Sequence, residues 1–83
     1  MSNFKWIERV RQVELIHKSH LADDDTWTLS MTAKLIGRSI GKTSEDLLLA
    51  EWLKKDPKVQ RIRVIQDALD YVRKRKREER LKL

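Results

Sequence analysis

Apolar residues recur at three- and four-residue steps in four stretches of this chain, the period of a helix with one buried side. Phe4, Ile7, Val10 and residues 13–16 set the first stripe, widened by Trp6 and Leu15. They predict a helix over roughly 4–20 with Ser2 or Asn3 as its cap. Its apolar side needs cover, either as a lid on the domain core or as a dimer contact. Residues 21–26 (LADDDT) read as a turn, and Trp27 as a core residue pinning that turn. A second helix follows, capped by Thr28 or Ser30, with Leu29, Thr32, Ala33, Leu35 and Ile36 on its apolar side. Gly37 ends it, because glycine enters the left-handed region without a Cβ penalty. Ser39 can cap a third helix over roughly 40–54, anchored by Leu47, Leu49, Ala50 and Leu53. Leu48 falls on another side; partial burial against the last helix is its simplest account, and contact with a thymine methyl or a partner protein the other. Pro57 ends the third helix and suits the first turn of a fourth, roughly 57–80, with Asp56 as cap. Val59, Ile62, Ile65 with Val64, Ala68 or Leu69, and Val72 carry the last stripe, flanked by Tyr71. After Val72 the stripe stops. The run RKRKREERLK cannot bury a face and is either an exposed helical extension or disordered. Leu81 and Leu83 look incidental.

The second and third helices are distinguished by their spacing. In a helix-turn-helix the two helices cross closely, so the first needs a small residue on its inner face, and Ala33 is that residue. Gly37 follows four positions later at the turn, and Ile40, three further on, plugs the crossing. The third helix is then pushed outward, where its first turns can enter a major groove. The same spacing also fits an ordinary αα-hairpin in a helical bundle.

Trp27, Thr28, Thr32, Ala33, Gly37, Ser39, Gly41, Ser44, Asp46, Leu47, Leu49 and Ala50 stand in an order that resembles the helix-turn-helix of ParB-type partition proteins and their phage- and plasmid-encoded relatives. Ile36 stands where those have Leu, a harmless change. Thr43 stands where they bury a Val, so its hydroxyl needs a partner. The resemblance covers about a third of the chain. It does not extend to the nucleotide-hydrolysing domain of that family, so CTP binding is not carried over. It implies DNA binding, in a phage or plasmid regulator or a partition-type protein.

Composition narrows the setting. The 83 residues are 40% hydrophobic and 39% charged, with two Gly and one Pro, which suits one small helical domain with short loops and a modest core. The lack of cysteine excludes disulfides, thiolate metal sites and thiol nucleophiles, and suits a reducing cytosol. No apolar run approaches the ~18 residues needed to span a membrane, and MSNFKWIERV is too charged for a secretory signal. A cytoplasmic protein without a membrane partner is expected. The net charge of +6 is unevenly spread: +2 over residues 1–22, −3 over 23–27, balance over 28–53, and +7 over 54–83. A basic end suggests an acidic partner, most often nucleic acid.

Catalytic and metal chemistry find little support. His17 and His20 lack a third ligand nearby in sequence, so they read as surface residues. Asp23, Asp24 and Asp25 lack the glycine and following carboxylate of a calcium loop; they solvate the turn and favour the positive end of the next helix. Gly37 to Lys42 has three residues between its glycines, not the four of a phosphate loop, and no strand precedes it. No enzyme, metal or cofactor is expected.

The expected protein is an all-α domain of four helices containing a helix-turn-helix (1–72, motif about 28–53), with a basic C-terminal extension (73–83), binding double-stranded DNA. Ser39, Lys42, Ser44 and Glu45 are the candidates for base edges: Lys reaches guanine acceptors, Ser suits donors or acceptors, and Glu can accept from cytosine N4. Thr28, Ser30, Lys34 and Arg38 are the candidates for phosphates. Lys54 and Lys55, with Arg73, Lys74, Arg75, Lys76 and Arg77, add sequence-independent affinity through counterion release. Asp46 is expected to cap or brace the fold, since phosphate would repel it. One half-site per monomer binds weakly, so a homodimer through the first or last helix is expected. Two other readings stay open. The scaffold can serve as a protein-binding adaptor, which the acids of the third helix and Leu48 favour. It can also be the DNA-recognition domain of a small terminase subunit, whose mark would be a ring-forming oligomer.

Overall fold

Four α-helices and one 3-10 helix make up the described part of the chain, residues 5–81 of a computed structural model. They are α1 (Lys5–Asp23), α2 (Leu29–Ile36), α3 (Ile40–Lys55), the 3-10 helix (Pro57–Arg61) and α4 (Ile65–Leu81). No strand occurs among the described residues. Ser2, Asn3, Phe4 and Leu83 lie outside them.

α1 takes the first of the two covers that its stripe allows, as a lid on the domain core. It packs mainly along α3 and sinks Trp6, Ile7 and Val10 into a core with Leu49, Ala50, Trp52, Leu53, Val59, Ala68, Leu69 and Val72. Leu15 is not part of that stripe: it is 67% exposed. It stands two residues from buried Val13, about 200° round the helix. α1 also runs three residues past the predicted end, and its last turn closes where the Asp24 amide donates to the His20 carbonyl (2.9 Å). There the Asp24 carboxylate accepts from the Thr26 hydroxyl (2.6 Å) and amide (3.0 Å). Those bonds hold its pKa below the usual carboxylate range.

Trp27 is half-buried rather than a core residue, yet it does pin the turn. Its ring stacks on His20 at 4.2 Å, and its Nε1 donates to Thr32 Oγ1 (2.7 Å). That buried hydroxyl also lies 2.6 Å from His17 Nδ1. The two histidines thus serve the α1–α2 junction.

α2 and α3 are joined by a tight turn. Thr28, not Ser30, caps α2, its hydroxyl accepting from the Met31 amide (3.2 Å). Gly37 is left-handed at φ 73°, and the Gly37 and Arg38 amides reach back to the Lys34 and Ala33 carbonyls. This is the double closure that makes glycine favourable at a helix end. Ser39 caps α3, accepting from the Lys42 amide (3.1 Å). Ala33 is buried as expected, but Ile40 does not plug the crossing: it is 52% exposed, and Leu35 is 56% exposed. Residues 32 and 33 take the inner side of an eight-residue helix, and Leu35 falls away from it. Thr43 supplies the buried side chain at the start of α3, and its hydroxyl donates to the Ser39 carbonyl (2.8 Å). Of the three adjacent leucines only Leu49 is fully buried; Leu47 and Leu48 are half-buried.

The predicted fourth helix is two elements. Asp56 does cap the segment after Pro57, its carboxylate accepting from the Lys58 amide (3.0 Å), but the turn formed is 3-10. The chain leaves helical geometry at Ile62 and resumes at Ile65. Trp6 Nε1 donates to the Ile62 carbonyl (3.0 Å), so α1 satisfies a backbone group that a continuous helix would use internally. The β-branched residues Ile62, Val64 and Ile65 also disfavour helix. Val64 is exposed as a result. Beyond Val72, α4 continues as helix to Leu81 with every residue exposed.

Candidate nucleic-acid interface

The exposed start of α3 is built by its cap. Ser39 turns the chain into the helix, and Ser39, Ile40, Gly41, Lys42 and Ser44 all face solvent. An added Cβ at Gly41 would meet nothing within 4 Å, so packing does not require a glycine there. Lys42 and Ser44 carry no side-chain partner among the described residues. Ser39 spends one lone pair on its cap and keeps its hydroxyl proton available. Glu45 differs: it is half-buried, and one of its carboxylate oxygens accepts from Arg73 of α4 (2.7 Å).

Asp46 braces the fold, as expected of it. It is 1% exposed, and two guanidiniums from different elements converge on it. Arg9 Nη2 of α1 donates to Oδ1 (3.3 Å), and Arg38 Nη2, from the turn before α3, reaches the same oxygen (3.5 Å). Arg38 Nε stands 2.9 Å from Oδ2, close as an ion pair but out of line for a hydrogen bond. One carboxylate against two guanidiniums leaves a net positive charge, and both arginines keep exposed edges.

Thr28, Ser30 and Lys34 are exposed along α2. Thr28 is engaged as the cap. Lys54 is held in an ion pair with Glu14 (2.6 Å), which Lys18 joins at 3.5 Å. Burial pushes the Glu14 carboxyl up, but the bond to Lys54 and the charge of Lys18 outweigh it and hold it below the usual range. The bond to Glu14 raises Lys54. Lys55 pairs with Glu79 (3.2 Å) and lies 4.5 Å from the Trp52 ring centre.

α4 sorts its charges by side. Arg73, Lys76, Arg77 and Arg80, three and four residues apart, line a groove with Leu48 of α3. Leu48 is thus partly covered by α4. On the other flank Arg75 pairs with Glu78 (3.6 Å) and Glu79 reaches Lys55. Lys76, Arg77 and Arg80 pair with no carboxylate among the described residues; Lys74 is exposed and also unpaired there. The structure therefore brings Arg73, Lys76 and Arg77 together and leaves Lys74 and Arg75 apart. Two residues escaped the sequence reading, Arg80 and Arg9. The signal for Arg9 was indirect: an acid at the core-facing position 46 demands a cation from elsewhere. Among the described residues no three potential metal ligands converge, and no helix is long and apolar enough to cross a membrane.

No family model, curated protein or solved structure matches this chain.

Proposed function

We propose that this chain binds double-stranded DNA, with α2 and α3 acting as a helix-turn-helix and the start of α3 entering the major groove. The observation that carries this reading is the tight, doubly closed turn at Gly37, after which Lys42 and Ser44 stand free beside the Ser39 cap on the first turns of an otherwise anchored helix. Lys42 and Ser44 are the readers of base edges, with Ser39 beside them. Lys34 and Ser30 meet phosphates on one side of the groove. The cationic flank of α4 adds salt-sensitive affinity. A second copy supplies the second half-site, and the resemblance of the motif makes a regulatory or partition-type role the expected setting.

The test is a fluorescence-anisotropy titration with random-sequence duplex across a salt series. The expected result is binding that weakens steeply with salt and is reduced in the Lys42→Ala/Ser44→Ala variant. Binding unaffected by that variant would remove α3 from the interface.

One observation favours a second reading, a protein-binding adaptor. Met31, Leu35 and Ile40 are 44%, 56% and 52% exposed around the α2–α3 turn, and Trp27 lies beside Met31 and Leu35. A contact built on them would hardly respond to salt and would be lost in Met31→Ser/Leu35→Ser.

A further inference from the structure

We propose that Arg9 and Arg38 form a single patch for backbone phosphates of nucleic acid beside the base-edge reader Lys42, and that Asp46 is the positioning residue that sets it. The inference rests on the DNA reading above and adds to it a contact from α1. Asp46 is buried, yet the two arginine side chains on it are 41% and 29% exposed, although the Nε of each is buried. Their bonds to Oδ1 are long, at 3.3 and 3.5 Å, and the Nε of Arg38 is out of line with Oδ2. The guanidiniums are held by charge more than by directed hydrogen bonds. The Nη donors of each that Asp46 does not take lie in one plane, an arrangement that matches phosphate oxygens. Lys42 lies one turn before Asp46 on the same side of α3, exposed and without an ion pair.

Charge explains why an acid sits inside a site for anions. Without it, two guanidiniums from α1 and the turn would repel each other and separate into water. With it, they are fixed side by side and one positive charge is left over. A buried ion pair is weak evidence of stabilisation, because apolar residues of similar volume often serve as well. Its use here is placement.

The experiment measures duplex binding across a salt series for the full chain and for Arg9→Ala, Arg9→Lys and Asp46→Asn, with thermal melting of each. Arg9→Ala is expected to lower the salt slope by about one and affinity several-fold, with Arg9→Lys recovering the slope. Asp46→Asn is expected to bind more weakly although it adds a net positive charge; tighter binding would overturn the positioning role. If Asp46→Asn fails to fold, the Arg9 pair decides. A lower melting temperature in Arg9→Ala with an unchanged salt slope would make Arg9 a structural partner only, and would overturn the inference while leaving the DNA reading intact. No binding by the unaltered chain at low salt would overturn both.

Discussion

The Asp46 cluster and the far half of α4 hold arginines in opposite ways. Around Asp46, three elements meet, the acid is buried, and each guanidinium has one fixed neighbour. Beyond Val72, α4 buries no side chain; Arg73 is tied to Glu45 of α3, while the unpaired Lys76, Arg77 and Arg80 share its flank because the helix repeats. The first arrangement depends on tertiary packing, and the three unpaired cations of the second on local helix. The difference separates geometry from affinity: fixed cations set register on a partner, while a helical cation stripe attracts any polyanion.

The largest effect expected from breaking this contrast is on the first region. Asp46→Ala leaves two guanidiniums facing each other and should lower the unfolding free energy by about 2 kcal/mol in urea titrations, less than for a fully buried pair because both arginines can turn to water. On the second region, Lys76→Gln/Arg77→Gln/Arg80→Gln should leave stability within about 0.5 kcal/mol. The same variant should cut duplex affinity about tenfold at low salt and lower the salt slope by two to three, roughly 0.9 per lost phosphate contact. Gly37→Ala should cost about 1 kcal/mol in the same urea titration: its φ of 73° is unfavourable for alanine, although no atom lies within 4 Å of the added Cβ.

The smallest effect concerns the anchor of α4. Tyr71 donates to Asp56 Oδ2 (2.5 Å), and this bond holds the Asp56 carboxyl below its usual range and the Tyr71 hydroxyl above its own. The Asp56 contribution is present above its ordinary pKa of about 3.9 and is lost as pH falls through the lowered value. The Tyr71 contribution is present below its ordinary pKa of about 10 and is lost as pH rises through the raised one. Melting temperature followed against pH should therefore lose part of both its acid and its alkaline arm in Tyr71→Phe. Glu14, Asp24 and Lys54 keep the remainder.

The elements that sequence revealed are those written locally. Thr28, Gly37 and Ser39 act within four residues of themselves, so the α2–turn–α3 unit was readable, as was the stripe that buries α1 on α3. The break at 62–64 was not, because Trp6 makes it from 56 positions away in sequence. The candidate site divides likewise. Lys42 and Ser44 were placed by counting from the cap. The pairing of Glu45 with Arg73 and the meeting of Arg9 with Arg38 depend on how distant helices cross, which periodicity does not encode. Leu35 and Ile40 misled for a related reason: an apolar residue near a crossing need not point into it.

The overhang of α4 has a consequence for its own order. The nine residues from Arg73 to Leu81 project roughly 13 Å past the last buried side chain, at 1.5 Å per residue. Like charges three and four apart each oppose helix formation by a few tenths of a kcal/mol. Arg75 with Glu78 and Glu79 with Lys55 act the other way, which leaves the unrelieved repulsion on the flank of Lys76, Arg77 and Arg80. Bound phosphates neutralise those charges, so they would lengthen the lifetime of the helical state at the tip.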